Sequence, residues 1–264
     1  MIKESIYLPS QGYPYRNVGS YVTVSPLTTR AYKDFLVNPN EEGIFNLIDS
    51  CLVDCPIKAS EFVYQDELAI YFKIRSMSMG DIVPSYSVCP YCENKNNEEW
   101  NLMELECKYL SLSEYPLGVI LPESQKKVYI SIPTGRTQKI AQEAAQKRAT
   151  QFNTDIKDFL PSFQSASILS VEGTHDLIER AEWYNNLPLK DAVFIESVLE
   201  RMQDFGIKTN HTVNCEKCKK DYISPLKITS NFFRPDIGNI TGISTATGTL
   251  AQGPSNTAST QPNS

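Results

Sequence analysis

The sequence predicts an α+β fold: a zinc-ribbon-like module built from two distant cysteine knuckles, an N-terminal helical region, and a mostly helical insertion between the knuckles. Three observations predict it. Cys-Pro-Tyr-Cys at 89–92 and Cys-Glu-Lys-Cys at 215–218 share the two-residue spacing that grips a tetrahedral metal. Each is followed by a polar turn and then a strand pattern. Met103, Leu105 and Cys107 alternate with Glu104 and Glu106 after the first pair, and "DYISPLKI" follows the second. The chain between them is dominated by good helix formers. These patterns divide the sequence into an α+β region at 1–84, the first knuckle and its strands at 85–133, a helical insertion at 134–210, the second knuckle and its strand at 211–235, and a polar tail at 236–264.

In chain order, "PLTTRAYKDFLVNPNEEGIFNLIDSCLVDC" predicts one helix near 28–37 and another near 41–55. In the second, Ile44, Leu47, Ile48, Cys51, Leu52 and Cys55 recur at helical spacing. That periodicity favours Cys51 and Cys55 as small core residues, although two thiols four apart on one helical face can also hold a metal. A third helix is expected over 66–77, ending near Gly80. "YPLGVILPE" and "KKVYISIP" read as strands, with Val128, Ile130 and Ile132 alternating. The pattern turns helical at Thr134 in "TGRTQKIAQEAAQKRATQF". A last helix, opened by Pro188 and stopped by Gly206, places Ala192, Ile195, Leu199 and Met202 on one stripe. Its other flank carries Phe194, Val198 and Phe205, more apolar groups than one core stripe requires. Two readings are open for these three: they contact a protein partner, or the helix is buried on both flanks. Beyond Pro235, "GNITGISTATGTLAQGPSNTASTQPNS" has no charged or aromatic residue, and we expect a flexible tail.

Composition narrows the function classes. The 264 residues are 41% hydrophobic and 21% charged, which is ordinary for a globular protein, and no apolar run approaches the ~20 residues needed to span a bilayer. The N-terminus breaks into Ser, Pro and Gly before a signal-peptide core can form, so the chain is expected to stay in the compartment where it is made. A net charge of −6 supplies no general attraction for nucleic acid, and none is expected as a partner.

Of the seven cysteines, four form two close pairs, Cys51 and Cys55 lie four apart and Cys107 stands alone, a spread that points to metal or redox chemistry more than to a disulfide framework. Cys89, Cys92, Cys215 and Cys218 together supply four ligands for one structural zinc, with Lys217, Lys219 and Lys220 near the second pair. The alternative is a thiol-disulfide oxidoreductase acting through Cys89 and Cys92. Such a dithiol needs a buried strand before it and an amphipathic helix after it, because the helix N-terminus lowers the thiol pKa. "GDIVPSYSV" and "ENKNNEEW" fit that poorly. Catalytic constellations are otherwise lacking. Gly135 stands alone, without a phosphate-cradling loop, and His175 has no serine motif beside it. His211, four residues before Cys215, is a minor candidate ligand. We expect no enzyme.

The succession "IYLPSQGYPY", "VTVSPLTTRAYKDFL", "LIDSCL", "DELAIYFKIRSMSMGD", "VCPYC", "DAVFIESVLERMQDFGI" and "VNCEKCKKDYISPLKITSNFFRP" resembles the T4-like bacteriophage baseplate protein family, which includes hub subunits and hub assembly factors. The resemblance covers roughly residues 6–235. It implies that Asp66 and Arg75 belong to the helix ending at the Ser76–Gly80 turn, and that the paired cysteines are Cys89, Cys92, Cys215 and Cys218. It also implies a non-enzymatic role in the central baseplate of a contractile tail. The protein would be assembled in the host cytoplasm alongside other hub proteins, either retained in the virion or released after assembly.

Overall fold

The computed structural model describes residues 2–153, 167–171, 177–228 and 232–233. His175 and the polar tail lie outside them. The described residues fall within one compact unit, Met1–Arg234.

The N-terminal half is built around one buried helix. Strands β1 (Glu4–Tyr7) and β2 (Tyr21–Val24) pair antiparallel, and β3 (Leu52–Val53) extends the sheet on the β2 side. Helix α1 (Thr29–Val37) starts where the Thr28 hydroxyl accepts from the Ala31 N–H, and α2 (Glu41–Cys51) where Asn40 Oδ1 accepts from the Gly43 N–H. Helix α3 (Tyr64–Met79) buries Leu68, Ile70, Tyr71, Phe72 and Ile74, so apolar groups surround nearly its whole circumference. They pack with Leu8, Val24, Leu47, Ile48, Phe62 and Phe233 into a first core. Helix α2 stops at Cys51 and does not continue to Cys55. Leu52 turns extended to pair with Val24, and the residue before Pro56 is sterically biased away from helix. Cys51 is buried in the first core, and Cys55 packs against its edge.

Glu67 on α3 is half-buried, and its carboxyl is pushed up from the ordinary 4.5 to about 7 by desolvation, with Glu41 adding repulsion. The unfolded chain ionises this group first, so the stability it allows is full below about pH 4.5 and is lost as pH rises to about 7. Glu67→Gln is therefore expected to stabilise the protein at pH 8 by on the order of 1–3 kcal/mol, with the gain vanishing below pH ~4. Urea unfolding across that range checks it.

Strands β4 (Ile82–Val88) and β5 (Lys95–Asn101) form a seven-rung antiparallel hairpin. The strand after the first knuckle is thus "KNNEEWN", and the expected Met103–Cys107 strand is replaced by a turn with Met103 exposed. The inward positions of β5 are Asn96, Glu98 and Trp100, two of them polar, so no apolar alternation marks it. Strand β6 (Cys107–Lys108) later pairs with β10 (Gly206–Ile207). Strands β7 (Leu117–Ile120) and β8 (Lys127–Ile130) lie where alternation places them. A third strand, β9 (Ile168–Val171), joins β8 from within the segment expected to be helical.

Helix α4 (Gly135–Phe152) is capped by Thr134, while α5 (Leu177–Asn185) and α6 (Leu189–Gln203) complete the helices among the described residues. Ile195, Leu199 and Met202 of α6 pack with Leu121, Val128, Ile130 and Ile168 into a second core. Buried Asp191 ties α6 to the β7–β8 turn by accepting the Glu123 N–H at 2.7 Å and the Ser124 N–H at 2.9 Å. Phe205 is buried in this core, whereas Phe194 and Val198 are half-buried against it. The stop at Gln203 turns Phe205 inward, so it is not a surface group.

Candidate metal centre

Two hairpin ends build the site. Cys89 and Cys92 lie in the β4–β5 turn, and Cys215 and Cys218 in the turn between β11 (Asn210–Asn214) and β12 (Asp221–Pro225). The turns share one backbone pattern. The Cys89 N–H donates to Asn94 O and the Glu93 N–H to Cys89 O; the Cys215 N–H donates to Lys220 O and the Lys219 N–H to Cys215 O. Glu93 and Lys219 hold left-handed φ values of 58° and 59°. Each turn folds its two sulfurs to one side.

The four sulfurs converge. Cys89 Sγ lies 3.6 Å from Cys218 Sγ, Cys92 Sγ lies 3.6 Å from Cys215 Sγ, and all four fall within 4.8 Å of one another. Four sulfurs bound tetrahedrally at ~2.3 Å stand ~3.8 Å apart, so the spacing fits a zinc-sized ion. Cys89 and Cys215 are fully buried, and the other two are partly exposed. Among the described residues this is the group of metal-binding side chains that comes together in this way.

The thiols of the cluster do not titrate alike. Backbone N–H groups of Cys218 and Lys217, with the neighbouring thiols, pull the Cys215 thiol down to about 6, against desolvation. At Cys92 the Asn94 N–H acts downward, but desolvation and the thiols of Cys218, Cys215 and Cys89 outweigh it and push the group up to about 12. Neighbouring thiols thus oppose one another's ionisation, and a bound cation would let all four stand as thiolates.

Beneath the sulfurs, side chains lock the hairpins together. Asn96 Nδ2 donates to Tyr222 Oη at 2.9 Å and approaches Cys215 Sγ at 3.8 Å, while its Oδ1 accepts the Glu216 N–H at 3.1 Å. Ser87 shares hydrogen bonds with Tyr222 and Glu98. The buried Glu98 carboxylate also accepts from Ser224 Oγ and pairs with His211 Nε2, both at 3.0 Å. His211 stacks on Trp100 at 3.8 Å, so the minor candidate ligand belongs to this network and not to the sulfur cluster. Lys220 lies over the Tyr91 ring. Sequence reasoning missed Asn96, Glu98, Tyr222 and Ser224. A signal was present, because aligning the two knuckles on their cysteines sets Asn96 against Tyr222 and Glu98 against Ser224.

Strand β5, not a helix, follows Cys92, so the thiol-activating helix N-terminus of a dithiol oxidoreductase is missing here. Asp66 and Arg75, singled out by the family resemblance, are both buried on α3. The Asp66 carboxylate accepts from the Ser10 N–H at 2.8 Å, from the Ser10 hydroxyl, and from Tyr15 Oη at 2.7 Å. Desolvation pushes its pKa up, opposed by the Ser10 and Tyr15 donors. Arg75 donates to three carbonyls, Phe232 O and Gly80 O at 2.6 Å and Ile82 O at 3.2 Å. These are ties between chain segments, and none of their partners is one of the four clustered cysteines. No helix among the described residues is long and apolar enough to cross a membrane.

Neither a curated protein nor a solved structure matches the chain. The profile of the T4 bacteriophage base plate proteins matches residues 4–234, nearly the whole compact unit. With its order of motifs, its two knuckles and its buried α3 ties all inside that match, the chain belongs to the T4 bacteriophage base plate protein family and has a structural role in a phage baseplate.

Proposed function

We propose that the protein is a non-enzymatic component of the central hub of a contractile-tail baseplate, and that Cys89, Cys92, Cys215 and Cys218 hold a structural zinc. The observation that carries this reading is the convergence of four sulfurs from two hairpins, residues 82–101 and 210–225, far apart in a chain of the base plate family. Zinc supplies a four-way crosslink when bound. The residues do the rest: the left-handed turns at Glu93 and Lys219 aim the sulfurs, and the Asn96, Tyr222, Glu98 and Ser224 bonds hold the hairpins in register. A ribbon-like module of this kind joins the two hairpins that flank residues 102–209 in sequence, and that intervening part of the chain faces other hub proteins.

On that segment, Phe194 and Val198 form a half-buried flank of α6, and Leu189 and Val193 lie exposed on the same helix. This flank is the proposed partner contact, and Phe205 supports it from the core. A phage lacking the protein is expected to yield particles without a complete baseplate hub in electron micrographs. Normal contractile tails would contradict the proposal. Phe194→Ala with Val198→Ala is expected to leave a folded protein that no longer co-purifies with hub proteins. Unchanged co-purification would exclude the contact, and loss of folding would assign the flank to the core.

A further inference from the structure

The two cysteine hairpins obey an internal two-fold relation. Moving along the chain from the first to the second carries Cys89 to Cys215, Cys92 to Cys218, and the left-handed Glu93 to the left-handed Lys219. It carries the backbone bonds Cys89 N–H to Asn94 O and Glu93 N–H to Cys89 O onto their counterparts at Cys215, Lys220 and Lys219. It also carries the Cys89–Cys218 sulfur pair onto the Cys215–Cys92 pair, and the two separations are the same 3.6 Å. The same relation makes Asn96 the counterpart of Tyr222. These two are bonded to each other at 2.9 Å, so they sit across the axis.

That rung is where the symmetry fails chemically. An amide stands on one side and a phenol on the other. Asn96 is 2% exposed, and its amide nitrogen faces Tyr222 Oη at 2.9 Å, Asn94 O at 3.3 Å and Cys215 Sγ at 3.8 Å. Its oxygen is held by the Glu216 N–H and by Asn94 Nδ2, each at 3.1 Å, which fixes the nitrogen edge toward the sulfur. Cys89, the mate of Cys215, has no side-chain amide or hydroxyl donor among the described residues. Donors to a charged acceptor are the strong ones, and partners of metal-bound ligands orient them and offset their charge.

We infer that Asn96 is a positioning residue for the metal centre: its Nδ2–H donates to Cys215 Sγ, stabilises that thiolate, and raises the affinity of the four-sulfur site for a soft divalent cation. This rests on the metal reading given above. The amide reaches the ion through Cys215 and is not itself a ligand.

The test uses the full chain with zinc, cobalt(II) and spin-active cadmium. Asn96→Asp keeps the side-chain shape and an oxygen for the Glu216 N–H but replaces the donor beside the sulfur. It is expected to weaken zinc binding ~10–100-fold in competition with a chromogenic chelator, and to shift the sulfur-to-cobalt charge-transfer band. Tyr222→Phe breaks the same rung while sparing the N–H facing sulfur, so it is expected to loosen the hairpin pair and weaken binding without shifting the sulfur-to-cobalt band. An equal band shift in the two variants, or an unmoved band in Asn96→Asp, would overturn the inference. The cadmium-loaded wild-type protein gives a check without mutation: the Asn96 side-chain amide proton should show scalar coupling to the metal through Cys215. A loaded protein without that coupling overturns the role of Asn96 alone, whereas a wild-type chain that takes up none of the three metals overturns the metal reading and this inference together.

Discussion

Cys89→Ser and Cys215→Ser are each expected to abolish stoichiometric metal binding and to destabilise one and the same unfolding transition, although the residues lie at opposite ends of a long segment. Each removes one of four sulfurs that approach within 4.8 Å and leaves three with a weak oxygen, from water or the new serine, in the fourth position, which holds the ion too loosely for full occupancy. Binding energy at a structural site is folding energy, on the order of 10 kcal/mol in small zinc domains whose only core is the metal. This chain has two apolar cores of its own, so a loss on the order of 5 kcal/mol is expected. Excess chelator added to the wild-type protein should reproduce the effect, with the β4–β5 and β11–β12 amides losing hydrogen-exchange protection first. Independent transitions for the two variants would show that the hairpins do not share a site.

Arg75→Ala carries the second large effect. The guanidinium is 3% exposed and donates to Gly80 O, Ile82 O and Phe232 O, joining the end of α3, the start of β4 and the C-terminal edge of the first core. Truncation leaves three carbonyls without these donors and opens space beside Phe232. A cost of about 3–5 kcal/mol is expected. Arg75→Lys should recover little of it, because an ammonium cannot reproduce the planar fork that meets three carbonyls in fixed directions. Denaturant unfolding of both variants measures this. A lysine variant as stable as wild type would show that charge alone, and not the fork, holds the three segments.

The distance of those partners explains much of what the sequence conveyed and what it did not. Helices α1, α3, α4 and α6 were legible because helix formers, the Thr28 and Thr134 caps, the apolar stripe of α6 and the Gly80 stop of α3 are local properties of the chain. Strand β5 was not, since its inward groups are Asn96, Glu98 and Trp100, and two of these are satisfied by residues from the other hairpin. Strand β9 was hidden in a helical stretch because its partner, β8, is remote in sequence. The end of α2 was misplaced because pairing of Leu52 with Val24 overrides a helical period that continues to Cys55. Phe205 illustrates a limit of helical wheels. Once α6 stops at Gln203, a residue on the outward flank of an imagined longer helix turns into the core. At the site, Cys-x2-Cys spacing marked the four sulfurs, while the left-handed turns that aim them fall on Glu93 and Lys219, where no glycine advertises them.

Four sulfurs from two distant hairpins surrounding one ion would give the metal an all-sulfur shell. X-ray absorption at the zinc edge, on full-length protein purified under reducing conditions without added metal, tests it most directly. One zinc per chain is expected, with a shell of four sulfurs at ~2.3 Å and no nitrogen or oxygen neighbour. A shell containing nitrogen or oxygen, or protein that carries no zinc while its thiols stay reduced, would contradict it.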